Sequence, residues 1–415
     1  MNDFLIDETN RCLRCKKARC AIACPAHTSI PECIQLFKEG RYEEAGRILY
    51  QNNPFSIISS KVCDWSRLCF GHCVLNHKKV PVHWYEVEQF LSETYLKNYH
   101  PAAVTEEKSK KVAIIGAGPA GLSAAIWLRE AGYQVTVFDD NKALGGVLRY
   151  GIPQFRLDQK YILEFERLLD EYGIGFRPEQ KLGTNLHLSE LRKQYDATLI
   201  AAGASLYRAM RIPGEKDNPR ILYAIDYLKD PDAWTLGKKV LVIGGGNVTM
   251  DASRTAVRKG CDTTVYYRKS FENMPANASE VEDAQKDGVR FVLFRVPVEI
   301  KDENVAVMRL CENSVKEEGK IVTKTIEGSD IEVEFDNMIV AISENVDYSI
   351  FEDENIDMTE KGWPVTNGQQ QTSLPDVFLA GDYILGPKTV VEAVASARIA
   401  TEGIREYLEK ETENE

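Results

Sequence analysis

Short apolar runs, each leading into glycines and then a helix-periodic stretch, recur through the middle of the chain. The first is KVAIIGAGPAGLSAAIWLREAGYQVTVFDD, residues 111–140, in which a strand-length run meets Gly116-x-Gly118-x-x-Gly121. An unbroken apolar run of this length is the pattern of a strand buried on both faces, and so of a parallel sheet. The arrangement returns 128 residues later (244 minus 116) in KKVLVIGGGNVTMDASRTAVRKGCDTTVYYRKS, with Gly244, Gly245 and Gly246 after the strand and a helix from about Asn247. DATLIAAGAS (196–205) and FDNMIVAISEN (335–345) are further strands running into small residues, and PDVFLAGDYILGPKTVVEAV leads to a helix beginning near Thr389. The stretch PECIQLFKEGRYEEAGRIL, before the first run, reads as helical instead.

These patterns predict an α/β protein with two interleaved Rossmann-like nucleotide-binding domains preceded by a helical domain. The expected boundaries are 1–105 for the helical part and 106–235 for the first nucleotide fold. The second fold is expected at 236–350, with a return to the first at 351–415. A polar, Lys-rich linker, TEEKSKK, marks the first boundary.

Each glycine turn allows a pyrophosphate to approach the backbone at a helix N-terminus. The second strand of the first fold closes on Asp139 and Asp140, and a carboxylate there accepts ribose hydroxyls. The second strand of the other fold closes on Arg268 and Lys269. An acid repels a ribose 2′-phosphate, whereas a guanidinium and an ammonium pair with one. The first site therefore suits a dinucleotide with a free ribose and the second suits NADPH over NADH; the bland alternative for the basic pair is a solvated strand end. Thr249 stands where a third glycine or alanine would allow the closest packing, a departure from the ideal turn.

Acidic residues outnumber basic ones, 63 to 51, for a formal charge of −12. That balance opposes general nucleic-acid binding, which needs clustered cations. The most apolar stretch, Val112 to Leu128, is broken by Gly116, Gly118, Pro119 and Gly121, which opposes a membrane span. The start, MNDFLIDETNRC, lacks the features of a secretory signal, and a cytoplasmic location is expected.

Of ten cysteines, eight lie between Cys12 and Cys73. Their spacing is Cys12-x2-Cys15-x4-Cys20-x3-Cys24-Pro25, then Cys63-x5-Cys69-x3-Cys73, while Cys33 sits in a helical stretch as a small hydrophobe. Two zinc sites are one assignment, but neither Cys63 nor Cys69 has a partner two residues away. Closely spaced thiolates ending in Cys-Pro favour iron–sulfur ligation. Seven cysteines leave one corner of two four-ligand sites open, and Glu86, Glu88 and Gln89 offer oxygen donors for it.

Taken together, GAGPAGL, GGGNVTMD, GGVLRYGIPQFRL and VFLAGDYILGPKTVVEAV resemble the small subunit of bacterial glutamate synthase and its relatives, which include the electron-input half of dihydropyrimidine dehydrogenase. The resemblance runs from Cys12 to about Leu408. It implies FAD in the first site, NADPH (with NADH as the alternative) in the second, and two [4Fe-4S] clusters in the helical domain. Cys12, Cys15, Cys20 and Cys73 are then the ligands of one cluster. Cys24, Cys63, Cys69 and Glu88 are those of the other, with Gln89 as the near alternative. For FAD the resemblance implies Ala117, Gly118, Pro119, Ala120, Gly121, Asp139, Gly145, Gly146 and Arg156, with Gly381, Asp382, Thr389 and Val390. For the nicotinamide dinucleotide it implies Gly245, Gly246, Asn247, Val248, Arg268 and Lys269, with Ala341, Ile342 and Ser343. Where the family usually has Gly-Gln after the last strand, this chain has Ser343-Glu344.

Hydride transfer to a flavin rests on stacking and alignment, so no catalytic side chain is assigned. What the resemblance implies is an NAD(P)H-dependent oxidoreductase passing electrons through FAD and two clusters to a partner. That partner is an FMN-containing catalytic subunit or a ferredoxin, with a hetero-oligomer in the first case. A glutamate synthase input subunit is the first expectation; a pyrimidine dehydrogenase input subunit and a ferredoxin:NADPH oxidoreductase are the alternatives.

Overall fold

The computed structural model describes residues 3–315, 321–351 and 354–414. The chain forms two compact units: Met1–Arg149 with Gln154–Ala204 and Val346–Glu415, and Tyr150–Pro153 with Ser205–Asn345.

The first unit begins with α1 (Asp3–Arg11), α2 (Arg19–Ala23), α3 (Ile30–Lys38), α4 (Tyr42–Asn52), α5 (Ser56–Val62) and α6 (Trp84–Asn98). Apolar positions three and four apart bury together: Ile30, Cys33, Ile34 and Phe37 on α3, Ala45 and Leu49 on α4, Val87 and Leu91 on α6. That spacing gives each helix one apolar stripe, and the stripes make a small core. The chain then enters β1 (Lys111–Ile115), α7 (Pro119–Glu130), β2 (Gln134–Phe138), α8 (Val147–Tyr150), α9 (Lys160–Tyr172), β3 (Gly175–Arg177), α10 (Leu188–Gln194) and β4 (Ala197–Ile200). Val112 to Ile115 and the whole of β4 are buried, as their unbroken apolar character requires.

The second unit follows, with β5 (Leu206–Tyr207), β6 (Ile221–Tyr223), α11 (Ala224–Lys229), β7 (Lys239–Gly244), α12 (Asn247–Arg258), β8 (Asp262–Tyr267), α13 (Ala278–Lys286) and β9 (Arg290–Leu293). An antiparallel insertion of β10 (Arg295–Lys301), β11 (Val305–Val315), β12 (Ile321–Thr325) and β13 (Ile331–Glu334) precedes β14 (Asn337–Ala341) and β15 (Glu344–Asn345). The main sheet runs β6-β14-β7-β8-β9, all parallel. Residues 205–235, expected in the first fold, belong here instead, because β6 pairs with β14.

The chain returns to the first unit through β16 (Val377–Leu379), α14 (Asp382–Leu385) and α15 (Val390–Asn414). The first sheet is then β16-β4-β1-β2-β3, also parallel throughout. Within this unit the N-terminal helices pack directly on the nucleotide fold. Phe55 stacks on Phe165 with centroids 3.9 Å apart, and the Tyr172 hydroxyl meets those of Tyr50 and Tyr99 at 3.2 and 2.7 Å. Among the described residues no helix is long and apolar enough to cross a membrane.

Candidate functional site

Helix α2 and the loops around it gather the cysteines into two sets. Cys12, Cys15, Cys20 and Cys73 line a cavity of 30 Å³ together with Leu13, Pro31 and Val82. Burial lifts the Cys12 thiol, and Cys73 and Cys15 add to the effect; burial pushes Cys20 up to about 11, with Cys73 and Cys12 contributing. Cys24, Cys63 and Cys69 form the other set around Glu88. Burial is the largest cause of the rise in each of these three thiols, and the Glu88 carboxylate is the next. Cys20 and Cys24 lie one helical turn apart, the Cys24 N–H donating to the Cys20 carbonyl at 3.2 Å, so the two sets adjoin.

Glu88 is 8% exposed, and burial pushes its carboxyl up to about 8 against a single opposing hydrogen bond from Trp84. Gln89 instead donates to Glu93 at 3.0 Å. Burial and mutual repulsion disfavour these three thiols and the Glu88 carboxyl as anions, and a cationic group held between them would offset that cost. Among the described residues no three His, Cys, Asp or Glu side chains converge on one ion. The first set stands around a cavity instead, an arrangement that fits a cluster.

In the first nucleotide fold Gly118 caps α7 without a side-chain hydrogen bond, and nothing lies within 4 Å of where its Cβ would stand. The helix N-terminus thus faces open space, which fits a phosphate. A Cβ on Gly121 would stand 1.9 Å from the Gly116 carbonyl oxygen, so only glycine allows this packing. Asp139 is fixed from both sides: Oδ2 accepts from the Ala117 N–H at 2.6 Å and Oδ1 from the Asn141 backbone and side chain at 2.8 and 2.9 Å. Burial raises its carboxyl despite these hydrogen bonds. The Gly145 N–H donates to the Ala117 carbonyl at 2.8 Å, and Gly146 approaches Gly118. From the C-terminal return, Gly381 meets Ala120. Thr389 and Glu392 cap α15, the Thr389 hydroxyl donating to the carboxylate at 2.6 Å. Asp382 accepts from the Lys388 N–H at 3.1 Å, while Arg156 is half-buried in the loop before α9.

The second turn repeats this geometry. Gly246 caps α12 facing open space. Thr249, fully buried, accepts from the Gly246 N–H and donates to the Ala341 carbonyl, each at 3.2 Å. Gly245 packs on the Tyr267 ring, and its carbonyl accepts from the Ala276 N–H at 3.0 Å. Asn247 holds the same loop by accepting from the Asn277 N–H at 2.8 Å. Arg268 is exposed and Lys269 half-buried just past the end of β8.

Residues 110–397 match the family described as pyridine nucleotide-disulphide oxidoreductase. Residues 2–100 match the family described as dihydropyrimidine dehydrogenase domain II, 4Fe-4S cluster. The glutamate synthase (NADPH) small chain of Azospirillum brasilense is 32% identical over 98% of this chain and 90% of its own length. The chain belongs to the glutamate synthase small-chain family. The NADP(+)-dependent formate dehydrogenase subunit beta of Moorella thermoacetica is 33% identical over 95% of this chain and 60% of that protein. In fold, the chain is similar to Mycobacterium tuberculosis FprA in complex with NADPH, with a TM-score of 0.63 at 18% identity, over 74% of this chain and 86% of that one. This family member is thus an NADPH-dependent flavoprotein oxidoreductase with an iron–sulfur domain.

Against the family pattern of Gly-Gln, Ser343 adopts φ +132°, a backbone region that glycine favours. Burial raises the carboxyl of the following Glu344. Asn141 and the loop at Ala276 and Asn277 carry no recognisable signal in the sequence. The bridging role of Thr249 carries none either, because these contacts depend on which carbonyls and N–H groups the fold brings near.

Proposed function

We propose that this chain takes a hydride from NADPH and passes electrons singly to a partner protein, with FAD at the first turn and a [4Fe-4S] cluster in each cysteine set. The observation that carries the reading is that one compact unit holds the Asp139 turn and both four-donor sets. When bound, FAD accepts two electrons and releases them one at a time, and the clusters carry single electrons.

The chain's own residues bind and position. Ala117 to Gly121 and the α7 N-terminus receive the FAD pyrophosphate, and Asp139 its ribose. Gly145, Gly146 and Gly381 keep the surrounding wall free of side chains, while Arg156, Asp382, Thr389 and Val390 complete the site. Gly245 to Val248 take the pyrophosphate of NADPH, Arg268 and Lys269 its 2′-phosphate, and Ala341 to Ser343 border the site at the end of β14. Alignment is the whole requirement for hydride transfer, and no acid or base is needed.

Local bonding supports an order for the two cysteine sets. Asn52 donates to the carbonyl of Ala26, two residues past Cys24, at 3.0 Å and accepts from Arg398 of α15 at 2.8 Å. The Glu88 set therefore adjoins the flavin-bearing fold. The Cys12 set lies beside Leu13, which is 61% exposed, and marks the exit. Relatives named as small chain and subunit beta support a separate protein as the acceptor.

Anaerobic mixing with NADPH tests the proposal. The flavin band bleaches, NADH acts more slowly, and two molecules of a one-electron acceptor are then reduced per NADPH. Absence of bleaching by either nucleotide contradicts it.

A further inference from the structure

The loops around the Cys12 set differ in charge from the rest of the molecule. Residues 10–31 contain five Lys or Arg and residues 65–85 contain three, and neither stretch has an Asp or Glu, in a chain of net charge −12. Of these, Arg11 pairs with Glu8 and Arg67 with Asp64, just outside the stretches, and the others make up the basic rim. Lys16, Lys17, Lys78 and Lys79 are exposed, and among the described residues none has a carboxylate partner. Arg14 donates to Gln35 and lies within electrostatic reach of Glu39, while Arg19 meets His77 at 3.2 Å and has no carboxylate partner among the described residues. Between them stand isolated aliphatic side chains: Leu13, Ile22 at 65% exposure, Val74 and Val80. A shallow depression of 490 Å³ beside Cys15 is lined by Lys16, Lys17, Ala21 and Ile22, with Glu32 as the acid at its margin.

We propose that this face docks a small acidic protein carrying a one-electron centre, and that this protein is the acceptor. The assignment rests on the electron-input reading above and names its partner. Charge complementarity selects the sign: a basic rim attracts a negative face and repels the same face of a second copy of the chain. The mixture of lysines and single aliphatics selects the kind of contact. A permanent subunit interface is broadly apolar, whereas small, charged interfaces belong to transient electron-transfer encounters. The reaction balances as NADPH plus two oxidised carriers giving NADP⁺, one H⁺ and two carriers each reduced by one electron.

The test titrates the holoenzyme with an acidic plant-type [2Fe-2S] ferredoxin and, in parallel, with the basic haem protein cytochrome c, reading the dissociation constant. The ferredoxin binds the wild type more tightly than cytochrome c, and its Kd rises steeply with salt. The triple variant Lys17→Glu, Lys78→Glu, Lys79→Glu binds it about tenfold or more weakly with a flattened salt slope. Ile22→Ser weakens binding with the slope unchanged. Equal binding by the triple variant, with flavin and iron content as in the wild type, overturns the assignment, as does preference for cytochrome c. The salt slope of the wild type tests it without any variant. A wild-type protein lacking flavin or iron contradicts the electron-input reading instead.

Discussion

The two glycine turns are closed by opposite means. In the first, helix and strand meet because Gly121 has no side chain; a Cβ would stand 1.9 Å from the Gly116 carbonyl oxygen. In the second, Thr249 occupies the corresponding place, and its hydroxyl satisfies both the Gly246 N–H and the Ala341 carbonyl. A Cβ on Gly244 would likewise stand 2.5 Å from that hydroxyl oxygen, so the turn is tight around the threonine. The strand ends differ as well: Asp139 is buried and bound on both oxygens, whereas Arg268 is exposed. The comparison teaches that the turn fixes where a pyrophosphate sits, while the strand end decides which dinucleotide it belongs to.

The largest effect comes from disturbing the two closures. Gly121→Val drives side-chain atoms into backbone that cannot yield, and a loss of about 3 kcal/mol or more is expected, with protein purifying free of flavin. Thr249→Val removes two hydrogen bonds from a turn that already has room for the side chain, and about 1–3 kcal/mol is expected. Thermal melts and flavin content check both; flavin retained in Gly121→Val would break the comparison.

The strand end gives the next effect. Arg268→Glu replaces attraction to the 2′-phosphate by repulsion, and the KM for NADPH rises about 10- to 100-fold, from about 1.5–3 kcal/mol of lost charged hydrogen bonding, while that for NADH changes little. Steady-state kinetics with both nucleotides measures this, and equal changes for the two would remove Arg268 from the phosphate site.

Glu344 gives the smallest effect. Burial raises its carboxyl in the folded protein. Its contribution to stability is complete below the ordinary carboxylate range and is lost as pH rises through the raised value. Glu344→Gln therefore flattens the fall in melting temperature over that window and leaves acidic conditions unaffected. An unchanged pH profile would show that the carboxyl is solvated.

Both parallel sheets were legible in the sequence, because buried strands such as KVAII and KVLVIG leave no polar alternation to misread. The interleaving was legible from the repeated turn. The place of residues 205–235 was not, since it depends on β6 pairing with β14 more than 100 residues away. The insertion β10–β13 also escaped notice: its strands are only partly buried and mix polar with apolar positions, a weak signal beside the glycine turns. Cysteine spacing pointed to metal ligation, but the division into two sets came with the family resemblance. Spacing alone does not tell that Cys73 joins Cys12 while Cys24, one turn from Cys20, faces Glu88.

Quantifying flavin, iron and acid-labile sulfide in anaerobically purified protein, for the wild type and Cys20→Ser side by side, tests the central claim most directly. The account predicts one FAD with about eight iron and about eight sulfide per chain in the wild type. In Cys20→Ser it predicts full flavin and about half the iron or less. Zinc in place of iron, or unchanged iron and sulfide in Cys20→Ser, would contradict it.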